Sequence, residues 1–230
     1  MMSPDTQPRR ERDAESARQA ILDAGEKVFA EHGFDGARID AIAAESGYNK
    51  SLIFHYFDDK LGLYAEVVKR ADREMTALQV RVLLPLLKDE TIASNAHSFK
   101  AVLEIIVITL FDYLAEHERF MRMLLWEQAE GWQTYAKIIS LFDVEDAQQL
   151  EAFFRKAHSA GLLRSDFVPL IQLTMILQIC LSYLTFIPLY QMVILPGEDL
   201  FSAAALARAR EYIIAFVVHG MMINPLETRP

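Results

Sequence analysis

Between Glu45 and Asp58 the chain carries no acidic residue, and that stretch holds Asn49, Lys50, Ser51, His55 and Tyr56. This is a run of hydrogen-bond donors around one fixed cation, and such a set suits a polyanion. A lysine ammonium and the amides of a helix N-terminus hold phosphate oxygens, while Asn, Ser and His side chains match the donor and acceptor pattern of base edges in a major groove. No comparable cluster suits bond-making chemistry. His32, His97, His117, His158 and His219 are scattered, and no zinc-protease motif, nucleophile elbow or phosphate-binding loop is present. Neither an enzyme, a metal centre nor a cofactor is expected.

The donors need a helix that buries one stripe and exposes another. Arg38–Ser46 and Asn49–Tyr56 read as two short helices joined by Gly47-Tyr48, with Asn49 as the second N-cap. These are the dimensions of a helix-turn-helix. Leu52, Ile53 and Phe57 pack inward, leaving Asn49, Lys50, Ser51, His55 and Tyr56 outward. A longer helix precedes them over about 13–31 and ends at Gly33. A fourth, capped by Asp58 or Asp59, carries Leu61, Tyr64 and Val68 towards Leu84, where Pro85 finishes it. Further helices are expected near 95–116, 119–130, 132–142, 145–160, 166–190 and 199–219. Strand patterning is scarce, so the fold class is all-α. The expected organisation is a tail at 1–11, a helix-turn-helix domain at 12–64, a larger helical domain at 65–222 and a tail at 223–230.

The segments Ala20-Ile-Leu-Asp-Ala-Gly, Phe29-Ala-Glu-His-Gly-Phe, Ile42-Ala-Ala-Glu-Ser-Gly and Ile53-Phe-His-Tyr-Phe-Asp-Asp-Lys, followed by Leu63, resemble the TetR family of transcriptional regulators over residues 14–64. The resemblance implies a homodimer on a near-palindromic double-stranded DNA operator, with a small molecule in the C-terminal domain that releases it. It assigns Lys50, Ser51, Leu52, Phe54, His55 and Tyr56 to the recognition helix and Lys60 to a phosphate. There are departures. Ala37-Arg38 stands where many members carry Thr or Ser, so Arg38 would meet phosphate as a cation. Ser51 replaces a usual Gly, and Phe54 a common Tyr, which removes a hydroxyl.

Charge constrains this reading. The 230 residues sum to −9, and residues 1–60 hold eight cations against twelve acids. Contact with DNA must therefore rest on local arrangement rather than bulk attraction. A lone Cys180 excludes an intramolecular disulfide, and the polar first twenty residues lack a signal-peptide core, so a reducing, cytoplasmic setting is expected.

No charge occurs from Phe167 to Gly197. The run is long enough for a bilayer, but Gln172, Gln178, Gln191, Pro169, Pro188 and Pro196 interrupt it, and no basic cluster flanks it. A buried helix is the preferred reading, with no membrane partner. The alternative is a helical membrane-associated protein anchored through 167–195. Phe111, Asp112, Trp126, Met175, Gln178, Ser182 and Tyr183 suit an apolar cavity with a few orienting polar groups, hence a small hydrophobic or aromatic ligand. Plain core packing predicts the same residues. Ala203, Ala204, Ala207 and Ile214 offer a small-residue stripe for the dimer contact.

Overall fold

The computed structural model describes residues 7–82, 84–87, 89, 91–141, 145–164 and 168–223. Among these the elements are helical: α1 (Gln7–Gly36), α2 (Ile39–Ser46), α3 (Lys50–Phe57), α4 (Lys60–Val82), α5 (Leu84–Leu87), α6 (Ala96–Glu116), α7 (Glu118–Ala129), α8 (Tyr135–Ile138), α9 (Glu145–Ser159), α10 (Pro169–Leu189) and α11 (Ala203–Met221). A lone antiparallel bridge pairs Leu163 with Met222. The all-α expectation holds.

The chain divides into two compact units, residues 1–74 with 118–143, and residues 75–117 with 144–230. In the first, Ile21, Phe29, Ile42, Ile53, Phe57, Leu63 and Tyr64 form one buried cluster, which Met123 of α7 and Ile138 of α8 join. Phe29 and Tyr64 meet edge to face at 5.0 Å between ring centres, a favoured aromatic geometry. In the second, Phe99, Leu103, Val107 and Phe111 of α6 are buried together with Phe153 and Phe154 of α9, Cys180 and Leu184 of α10, and Ile213 and Val217 of α11. Arg210 of α11 donates to both carboxylate oxygens of Asp112 on α6, at 2.6 and 2.5 Å.

Local chemistry sets the boundaries of α2, α3 and α4. Gly47 adopts φ 75°, and its N–H closes α2 on the Ala43 carbonyl. Such a left-handed turn is open to glycine at little cost. Asn49 caps α3 by accepting from the Leu52 N–H at 2.9 Å, and Asp59 caps α4 by accepting from the Gly62 N–H at 2.7 Å. Gly62 is required by closeness, since a Cβ there would lie 2.1 Å from the Phe57 carbonyl oxygen.

Several expectations shift. Residues 7–11, expected in the tail, begin α1; residues 1–6 and 224–230 lie outside the described residues. The 132–142 segment is not one helix. Gly131 and Trp132 both take positive φ, 71° and 62°, which delays α8 to Tyr135. Residues 118–143, expected in the larger domain, belong to the first unit, because α7 packs along α1. The expected border at 64–65 falls instead at 74–75, within α4.

Candidate nucleic-acid interface

The α2–turn–α3 segment sorts its side chains as the sequence pattern requires. Ile53 and Phe57 are buried, and Leu52 and Tyr56 are half-buried against the same core. Arg38, Asn49, Lys50, Ser51, Phe54 and His55 are exposed. They form an outward face of donors around Phe54, which is 42% exposed. Such a face fits a groove that admits one helix.

Individual roles differ in detail. Asn49 uses its side-chain oxygen on the cap, so only its amide group remains for an outside partner. Arg38 is the N-cap of α2 and makes no side-chain capping bond, which leaves its guanidinium to act as a cation. Tyr56 donates its hydroxyl to the Ala14 carbonyl at 3.2 Å and so ties α3 to α1.

Lys60 points elsewhere than expected. Its ammonium donates to the carbonyls of Phe34 at 2.9 Å and Ala37 at 3.2 Å, with Asp35 at 3.5 Å, and sits 4.4 Å from the Phe34 ring centre. The charge closes the end of α1, where carbonyls are left without helical partners. Lys50 is engaged too, with its Nζ 2.5 Å from Oδ1 of Asp40 on α2. That bond, with the charges of Lys50 and Arg38, holds the Asp40 carboxyl below its ordinary range despite slight desolvation. Asp40 was not singled out from sequence. Its only signal was position, an acid in the first turn of α2.

The reading head is braced from behind. Glu127 of α7 is 2% exposed and accepts from the Tyr64 hydroxyl at 2.6 Å and the Tyr135 N–H at 3.0 Å. Burial, then the bond to Glu127, pushes the Tyr64 hydroxyl well above its ordinary pKa, so it stays a donor. On the same helix, Trp126 donates through Nε1 to the Ala30 carbonyl at 3.2 Å. Trp126, expected at the ligand site, therefore belongs to the first unit and packs on α1.

The other expected ligand residues lie in the second unit. Met175, Gln178, Ser182 and Tyr183 line one groove of about 350 Å³ with Ile179, Tyr190, Tyr212 and Ile213. It lies between α10 and α11. Phe111 of α6 is buried, with its ring 6.1 Å from that of Tyr183. Asp112 is held by Arg210 and does not line the groove. Tyr190 and Tyr212 went unnoticed in the sequence, since the first sits beyond the end of α10 and the second on a different helix.

Two short helices joined by a glycine turn, one bracing and one presenting donors outward, define a helix-turn-helix protein. Comparison with known proteins agrees and is more specific. The profile "Bacterial regulatory proteins, tetR family" matches residues 21–67, and "Tetracyclin repressor-like, C-terminal domain" matches residues 100–217. The HTH-type transcriptional repressor SCO4008 of Streptomyces coelicolor is 28% identical over 199 residues, covering 82% of this chain and 88% of its own. The repressor NicS of Pseudomonas putida is 26% identical over 176 residues, covering 76% and 78%. Among solved structures, SCO4942 of Streptomyces coelicolor superposes with a TM-score of 0.59 at 27% identity, covering 89% of this chain and 98% of that one. FadR of Bacillus subtilis, solved with stearoyl-CoA, shares the fold with a TM-score of 0.62 at 16% identity, over 88% and 98% of the two chains. The chain belongs to the TetR family. It is a DNA-binding transcriptional regulator and not an enzyme.

Proposed function

We propose that this regulator is a cytoplasmic repressor, a homodimer on a near-palindromic operator that a small apolar or aromatic molecule releases. The observation that carries the ligand part is the α10–α11 groove. Its walls are mostly apolar, with Gln178, Ser182, Tyr183, Tyr190 and Tyr212 supplying a few polar groups, the composition expected of a small-molecule site. Burial raises the Tyr183 hydroxyl above its ordinary pKa, with Tyr190 adding to the shift, so it offers a neutral donor. On DNA, Arg38, Lys50, Ser51, Phe54 and His55 make the contacts, Asn49, Leu52 and Tyr56 hold the recognition helix in register, and Lys60 secures the turn behind it.

The dimer part rests on exposed apolar surface. Ile171–Ile194 is long and apolar enough to cross a membrane, yet only 28% of it is buried. A second copy covering α10 and α11 accounts for this surface within a DNA-binding family. It also sets two recognition helices one DNA turn apart, roughly 34–36 Å. Release requires a ligand that favours a dimer whose recognition helices no longer match that spacing, because equal affinity for both forms shifts nothing. The α4 helix contributes residues to both units and is one covalent route between them.

The test begins with selection of bound duplexes from random DNA, followed by a screen for compounds that release the protein. Ser182→Trp fills the groove. It should abolish release by the compound found while operator binding stays intact. Release that survives Ser182→Trp removes the groove from the mechanism.

A further inference from the structure

One carboxylate lies among the outward cations of the reading head. Asp40 stands in the first turn of α2, and Lys50 opens α3 across the turn. Their charged atoms are 2.5 Å apart, with side chains 58% and 52% exposed. The remaining acid of α2, Glu45, is engaged by Lys27 of α1 at 2.7 Å. Asp40 is thus the acid whose partner is a recognition-helix cation. The pair does little for the fold, because ion pairs this exposed contribute marginally to stability. Nor does Asp40 cap α2, since Arg38 is the N-cap residue. The consequence of the pair falls on what Lys50 can do for DNA.

We propose that Asp40 is a specificity-determining residue that holds Lys50 in one position on the reading face and off the phosphates. The proposal rests on α3 being the recognition helix. Against arbitrary DNA, Lys50 gains a phosphate but gives up Asp40, whose carboxylate is then left facing the phosphate backbone. The exchange is nearly neutral, so nonspecific binding gains little from the cation. Against the operator, the ammonium keeps Asp40 on one of its three donors and turns another to a base edge, so no exchange is needed there. Discrimination is a difference of affinities, and an internal competitor that weakens the wrong complex more than the right one enlarges it. An acidic chain with few cations on its reading face is one in which such a competitor matters.

The experiment measures binding to a selected operator and to a scrambled duplex of equal length, across roughly 50 to 300 mM salt. The proteins are the wild-type chain, Asp40→Asn, Lys50→Ala and the double variant. Asn keeps the shape of an exposed residue, so the unfolding midpoint should not move. Asp40→Asn should tighten scrambled-duplex binding about 3- to 5-fold and operator binding under about 2-fold, so the specificity ratio falls. Its salt slope on scrambled DNA should steepen by about one. In the Lys50→Ala background the gain should shrink to less than half. Unchanged or weaker binding by Asp40→Asn overturns the proposal. So does a full gain without Lys50, which makes Asp40 only a diffuse repulsive charge. If wild-type protein binds no selected duplex better than scrambled DNA, the recognition-helix reading itself has failed, a different result from either.

Discussion

The two units differ in how completely each finishes its own surface. The first is closed: Arg70 of α4 pairs with both Asp23 and Glu26 of α1, Arg18 pairs with Glu66 at 2.7 Å, and buried Glu127 has two donors. Its exposed large apolar side chains, among the described residues, are Phe54, Trp126 and Ile139, and Phe54 faces outward from the recognition helix. Among its described residues the second unit exposes twelve, from Val168 to Phe216, including Met192 at 77%, Tyr212 at 70% and Phe216 at 59%. Apolar exposure on this scale, gathered in one unit, is the signature of an interaction surface. The reading head is thus shaped by its own core and by DNA geometry. The other unit is shaped for company, and the two should respond to mutation differently.

The largest effect belongs to the closed unit. Gly62→Ala ought to stabilise α4 by about 1 kcal/mol on helix propensity alone. The structure predicts the opposite sign, since the new Cβ would stand 2.1 Å from the Phe57 carbonyl oxygen, a backbone atom that cannot swing aside. Overpacking against an immovable neighbour costs about 1–3 kcal/mol net, with larger values where relaxation is blocked. That atom ends α3, so the strain reaches the recognition helix. Calorimetry should show a first transition lowered by roughly 5–15 °C, with operator affinity falling alongside. A stabilised Gly62→Ala protein would mean that the α3–α4 corner relaxes freely.

The same contrast explains what the sequence did and did not disclose. The α2–turn–α3 geometry could be read because each feature had a local chemical cause: Gly47 for a left-handed turn, Asn49 for a cap, Ile53 and Phe57 for the buried stripe. The helices beyond, the 132–142 segment apart, lie within a few residues of where hydrophobic period and Pro and Gly breaks put them. Partnerships across the sequence were hidden. Nothing local says that Lys60 returns to carbonyls 23–26 residues earlier, or that Glu127 meets Tyr64. Trp126 was assigned to a ligand site because composition alone cannot say which core an aromatic joins. Met175, Gln178, Ser182 and Tyr183 do share one groove, because helical spacing puts them on one face of α10.

The open unit should fail through association rather than folding. Phe216 and Tyr212 lie on one exposed face of α11. Phe216→Glu with Tyr212→Glu adds charge where a second copy would sit and removes no side chain from the unit's own core. Sedimentation should give a monomer at micromolar concentration, with an unfolding transition that remains cooperative. Operator affinity should fall by two orders of magnitude or more, because the half-sites then bind as separate, weaker events. A dimer that survives both substitutions would move the two-fold contact off α11.

Lys60 gives the finest distinction, because family position and geometry assign it different work. A phosphate-contacting lysine, when removed, lowers affinity on all sequences and flattens the salt slope by about 0.9. A lysine that caps α1 lowers affinity by loosening the turn into α2 and leaves the slope alone. Three carbonyls and the Phe34 ring already surround the ammonium, and an ammonium has only three donors. Reaching a phosphate would therefore mean surrendering at least one of these contacts. Lys60→Met keeps the apolar stem over Phe34 and deletes the charge. Its affinity should drop about 3- to 10-fold, with the unfolding midpoint slightly lower and the salt slope within about 0.3 of wild type. Lys50→Ala, measured beside it, should change the slope without changing the midpoint. A slope for Lys60→Met that falls by a full unit would show that the lysine leaves its carbonyls on binding and meets the DNA backbone after all.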